Sequence, residues 1–106
     1  MRSAKLSEMK GGWFAGDFSP ACLKSKEFEA ACKYYKAGAR EGSHVHKVAT
    51  EITVIAKGRA EMGGRVFAEG DVIILSPGDA TDFHALEDTI TMVVKVPSVA
   101  GDKYPA

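Results

Sequence analysis

The stretch GAREGSHVHKVATEITVIAKG, Gly38 to Gly58, decides how this chain is read. It carries two of the three histidines, His44 and His46, and a glutamate, Glu51, five residues after the second. Side chains two apart on a β-strand share a face, so His44 and His46 point the same way, with Val45 opposite. Glu51 opens the run EITVIAKG, which reads as the next strand after a short turn at KVAT. From there it can face the two histidines across the ladder. Thr53 and Ile55 then share the inward face with Glu51, while Ile52 and Val54 face outward and need cover from another sheet or subunit. Neutral imidazole is a common metal ligand. Two histidines and one carboxylate make a facial triad that leaves positions open for water, oxygen or substrate. A bare HxH on a strand also reads as exposed polar decoration, and at this spacing alone both readings stand.

The rest of the chain is cut into short pieces by glycine and proline. GGWFAGDFSP at 11–20 is turn-rich and aromatic. KEFEAACKYYKAG at 26–38 mixes helix-favouring Ala and Glu with a Tyr pair and a Gly stop, and is read as a strand because everything after it reads as strands. RAEMGGRVFAEGD has the form of a hairpin, since Gly63-Gly64 supplies positive φ at both turn centres. DVIIL is apolar without alternation, which predicts a strand covered on both faces. DTITMVVKV is a further strand, ended by Pro97. Short strands at turn-punctuated spacing predict an all-β sandwich or barrel. Residues 98–106 are expected to lie as a tail on its surface, with Tyr104 as an anchor.

Composition sets the outer bounds. A chain of 106 residues suits one domain, 1–106, with residues 1–27 as an N-terminal extension. Apolar residues at 45% and charged residues at 26% give a globular rather than a disordered profile. Lys+Arg and Asp+Glu both number 14, so no basic excess points to nucleic acid. Zero net charge is compatible with self-association. The longest apolar runs are too short to span a bilayer, and MRSAKLSEMKGG lacks the apolar core of a signal peptide. A cytoplasmic protein with reduced Cys22 and Cys32 is the expectation.

The frame around HVH is longer than the dipeptide pattern. Five residues separate Gly38 from His44, four separate His46 from Glu51, and six separate Glu51 from Gly58. That whole pattern resembles the first motif of the cupin superfamily. The second cupin motif has its counterpart in GDVIILSPGDATDFHALED, Gly70 to Asp88. Gly70, Asp71 and Gly78 fit. Ser76 stands where a proline is usual, Thr81 where a fourth, histidine ligand is usual, and Ala85 where an asparagine is usual. Phe83 resembles the aromatic that follows the ligand position.

The resemblance implies an all-β cupin double-stranded β-helix, or jelly-roll, barrel, and points towards a homodimer. It implies a divalent transition metal (Fe, Mn, Ni or Zn) held by His44, His46 and Glu51, with Thr53, Thr81, Phe83 and Tyr34 around the pocket. His84 lies three residues beyond Thr81, so on a regular strand it faces the other way and would need a bulge to become a ligand. Tyr34 and Tyr35 point to opposite faces, so at most one enters the barrel. Two functions remain open: a metal-dependent enzyme of dioxygenase or isomerase type acting on a small organic molecule, and a non-catalytic module binding a sugar-like or organic-acid ligand. Neither has a nucleic-acid or membrane partner.

Overall fold

The computed structural model describes residues 1–106. Ten strands make up about half of it: β1 Trp13–Ala15, β2 Glu29–Tyr35, β3 Arg40–Val45, β4 Thr50–Lys57, β5 Arg59–Met62, β6 Arg65–Ala68, β7 Val72–Leu75, β8 Ala80–Ala85, β9 Thr89–Val96 and β10 Tyr104–Pro105. The pairing is nested about one turn. Gly63 and Gly64, at φ 57° and 78°, close the β5–β6 hairpin. Outward from it β4 pairs with β7, β3 with β8, and β2 with β9, all antiparallel. Winding such a long hairpin on itself gives two five-stranded sheets, ordered β1-β2-β9-β4-β7 and β10-β3-β8-β5-β6. This is the double-stranded β-helix, or jelly roll. Strand over 29–35, the glycine hairpin and the strand ended by Pro97 all stand where the sequence places them.

Register divides the barrel interior into a polar and an apolar end. On β4 the inward residues are Glu51, Thr53 and Ile55, all buried. Across the sheet, Glu51 lies opposite Lys95, and Lys95 opposite Glu29. The next inward row is Thr53, Val93 and Ala31, and the third is Ile55, Thr91 and Lys33. Ile55, Ala60, Met62, Phe83 and Ala85 form the hydrophobic core, with Tyr35, Ala39, Phe67 and Ile73 packed against it. Ile55, Ala60 and Ala85 are wholly buried there. The core therefore closes the Ile55 end, and the Glu51 end is left for chemistry.

Three expectations are corrected. β3 and β4 do not pair as neighbours but lie in opposite sheets, so Glu51 approaches the histidines across the barrel interior rather than across a ladder. DVIIL is covered on one face only: β7 is an edge strand, Ile73 and Leu75 point inward, and Ile74 is 63% exposed. An apolar run does not by itself reveal whether its strand lies inside a sheet or at its edge. Residues 98–106 are also not a tail resting on the surface. Tyr104 and Pro105 pair with Val45 and His44, the Ala106 N–H donates to the Ser43 carbonyl, and Ser98 and Asp102 are buried. Likewise β1, within the segment read as an extension, pairs with β2 at the sheet edge. No helix is long and apolar enough to cross a membrane. Both cysteines are free thiols.

Candidate functional site

At the Glu51 end lies a cavity of about 440 Å³, with His44, Glu51, Thr53, Thr81, Tyr35 and Phe83 in its wall. That volume suits a small organic ligand.

His46 is placed by the backbone around it. It follows the last residue of β3, and its own carbonyl accepts the Gly78 N–H at 2.8 Å. Its ring is buried, and Nδ1 donates to the Asp102 carbonyl. A carbonyl can only accept, so the proton is on Nδ1 and the Nε2 lone pair faces inward. That Nε2 has no hydrogen-bond partner and stands 3.4 Å from Glu51 Oε1. Two acceptors facing each other in a buried place require a positive charge between them, from a proton or a metal cation. His44 is oriented in the same manner: its Nδ1 donates to the Gly42 carbonyl at 3.1 Å, leaving Nε2 free. Tying one ring nitrogen to a backbone carbonyl is how proteins orient metal-binding histidines. The two rings meet edge to face, with centroids 5.4 Å apart. Glu51 Oε2 accepts the Thr53 hydroxyl at 3.2 Å.

The structure thus brings His46 and Glu51 together, with His44 beside them in the cavity wall. No three His, Cys, Asp or Glu side chains are gathered closely enough to form a closed metal cluster. The donor set still fits a metal, because each histidine is tied to a backbone carbonyl through Nδ1 with Nε2 turned away from it, and the carboxylate faces one of them.

Asp102 holds this arrangement from outside. Its carboxylate accepts the N–H groups of Lys47, Val48 and Ala49, at 2.8, 3.2 and 2.9 Å. Burial alone would push its carboxyl up. The N–H groups of Ala49, Lys47 and Val48, with a smaller contribution from His46, outweigh that and hold it below the ordinary value.

A second pair lies across the cavity. The Tyr35 hydroxyl donates to Glu41 Oε1 at 2.7 Å, and the Tyr35 ring packs on Phe83 at 4.4 Å between centroids. Burial, then the hydrogen bond to Glu41 and its charge, push the phenol well above its usual range. Burial would raise Glu41 too, but the Tyr35 hydrogen bond and the charges of Lys33 and Lys103 bring it lower. The pair is therefore a neutral phenol on an ionised carboxylate at neutral pH.

The remaining sequence candidates divide. Thr53 is buried on the cavity face, as expected. Thr81 lies directly opposite His44 in the β3–β8 register and lines the cavity, with its hydroxyl turned to the Asp82 carbonyl at 2.9 Å. Phe83 is buried two residues on, on the same face. His84 falls on the outward face, opposite Arg40 and Glu61, because the irregularity in the β3–β8 pairing places its extra residue in β3, between Glu41 and His44, and β8 keeps its alternation from Thr81 to His84. It is not part of the site. Tyr34 is 70% exposed and is also removed; Tyr35 is the tyrosine that enters the barrel. The parity of KYY left that choice open, and only pairing with β9 resolves it. Glu41, Lys95 and Asp102 were missed. Parity with Thr91 and Val93 signals Lys95, whereas nothing local signals Asp102.

No protein-family model and no curated protein matches the sequence. The solved structures it resembles define the class: the fold is that of the cupins. A double-stranded β-helix protein from Klebsiella pneumoniae is 22% identical, with 94% of this chain and 88% of that one covered at a TM-score of 0.69. An RmlC-like cupin from Shewanella frigidimarina is 18% identical over 72% of this chain and 71% of that one, at 0.67. The DMSP lyase DddQ from Ruegeria pomeroyi is 19% identical over 89% of this chain and 49% of that one, at 0.73.

Proposed function

We propose that the cavity is the active site of a small metal-dependent enzyme acting on a small organic molecule. The observation that carries this reading is the buried Nε2 of His46, unpartnered and facing Glu51. His44, His46 and Glu51 would hold a divalent transition metal (Fe, Mn, Ni or Zn), with Thr81 in place of a fourth strong ligand. When bound, such an ion supplies Lewis-acid activation of a substrate oxygen. Thr53 orients the Glu51 carboxylate, and the backbone carbonyls of Gly42 and Asp102 orient the imidazoles. The Tyr35–Glu41 pair stands at the cavity wall as a neutral phenol on a carboxylate and can position a polar substrate group, with dioxygenase-type and isomerase-type reactions both open to the site. That a cupin barrel can carry lyase chemistry is illustrated by the Ruegeria pomeroyi neighbour.

The test is elemental analysis of protein purified without a metal-affinity tag. About one transition metal per chain is expected, with His46→Ala and Glu51→Gln each releasing it. Protein that carries no metal and takes up none on addition would sink the enzyme reading. The second reading, a non-catalytic binding module, would then stand, favoured by the absence of a closed three-donor cluster.

We further propose that the chain works as a homodimer through the outer face of the β2-β9-β4-β7 sheet. Ile52 lies beside Ile74 and Val94, and Val54 beside Val72 and Met92, which forms a contiguous apolar surface. Val72, Ile74, Ile52 and Met92 are all exposed on it. Surfaces of this kind mark interfaces, and zero net charge places no barrier between copies. Sedimentation should show a dimer for the native chain and a monomer for Ile74→Lys. A native chain that sediments as a monomer at high micromolar concentration would exclude this dimer.

A further inference from the structure

The cavity wall contains two half-buried cations that the chain leaves unpaired. Lys33 and Lys95 both line it, on inward positions of β2 and β9. The three ion pairs of the molecule are His46–Glu51, Arg59–Glu87 and Lys103–Glu41, and neither Lys33 nor Lys95 takes part in one. Neither ammonium makes a side-chain hydrogen bond. Instead both stand over the Trp13 ring, 5.1 and 4.9 Å from its centroid. Cations at that distance are held loosely by the ring quadrupole and keep their N–H donors free.

The acids of the same cavity are mostly committed elsewhere. Glu41 accepts from Tyr35, Glu51 accepts from Thr53 and faces His46, Asp82 accepts the Gly63 N–H, and Asp102 accepts three backbone N–H groups. Glu29 is directly across the sheet from Lys95 but beyond ion-pair distance. Burial pushes the Glu29 carboxyl up and the Lys95 ammonium down, so each charge is uncomfortable without a closer partner. Partly buried, unpaired ammonium groups inside a ligand-sized cavity call for an anion.

We propose that this end of the cavity binds the carboxylate of a small organic acid, with Lys33 and Lys95 as its cationic contacts and Trp13 as the platform beneath. Lys95 is the direct register neighbour of Glu51, so a carboxylate held there places the adjoining carbons towards His44 and Glu51. A single negative charge suits the site better than a phosphate dianion. No helix N-terminus or arginine fork is present, and Glu29 and Glu51 flank Lys95 on both sides. The inference rests on reading the cavity as a small-molecule site but does not depend on the metal.

Trp13 is the only tryptophan, so its fluorescence reads the site directly. Titration with gluconate should change its emission saturably, while neutral sorbitol should not. Lys33→Met and Lys95→Met should each weaken gluconate roughly tenfold or more, with Lys95→Arg close to native. Melting curves of the variants confirm that they are folded. The same titration after chelator treatment separates the two readings: binding that survives metal removal supports this inference whatever the metal content proves to be. Equal response to sorbitol, tighter binding of inorganic phosphate than of gluconate, or binding unaffected in both lysine-to-methionine variants would overturn it.

Discussion

Asp102→Ala is expected to lower stability by about 2–3 kcal/mol, because three charge-assisted hydrogen bonds to one buried and two part-buried N–H groups are lost together. For a domain of this size that is a drop of roughly 10–20 °C in melting temperature. The loss reaches the site as well. The Asp102 carbonyl holds His46 Nδ1, so loosening residue 102 frees the ring to turn its Nε2 away from Glu51. Removing a partner that orients a metal-binding histidine costs roughly 10–100-fold in metal affinity, and the variant should show that weakening while still folded at low temperature. The contribution also depends on pH. The folded-state carboxyl is held below its ordinary value of 3.8, so its stabilisation is fully present above that value. It disappears as pH falls through the lower, folded value. The stability gap between the native chain and Asp102→Asn should therefore be constant at neutral pH and shrink in strong acid. A variant that melts with the native protein, or a gap that widens in acid, would refute this account of the tail.

Ile55→Ala should cost about 3–4 kcal/mol, since the side chain is wholly buried at the centre of the core and its loss leaves a cavity lined by rigid strands. Chemical denaturation measures this directly, as a fall in midpoint with little change in slope. The same deletion at Ile74, on the outer face of the edge strand β7 opposite Ile52, removes atoms already in contact with water. Ile74→Ala should therefore leave the unfolding of an isolated monomer within about 0.5 kcal/mol of native. Comparable losses at both positions would mean that the outer face is packed within the monomer.

Much of the barrel was legible because β-structure writes itself at short range. A period of two, glycines at φ-positive turns and prolines after strands mark each element without reference to any other. The same parity assigned Glu51, Thr53 and Ile55 to one face and predicted that His84 would point away from Thr81. Parity fails where two readings differ only by an absolute orientation. KYY has one inward tyrosine under either choice, and the pairing of Tyr34 with Ile90 and Tyr35 with Thr89 selected Tyr35. It fails again where the deciding partner is distant. Asp102 lies 56 residues from His46, and nothing in GDKY announces a carboxylate that caps the loop at residues 47–49.

By itself, then, the sequence determined the strands, the central hairpin and the spacing that sets His44 and His46 at the end of one strand and Glu51 at the start of the next. These are properties of neighbouring residues and of backbone sterics. Only the tertiary structure decided what those residues meet: His46 Nε2 against Glu51, Tyr35 against Glu41, and Lys33 and Lys95 over Trp13. It also decided that the last nine residues are part of the site's support rather than a loose end. Contacts of that kind depend on how strands far apart in the chain are brought into register, and register is set by the whole barrel closing at once.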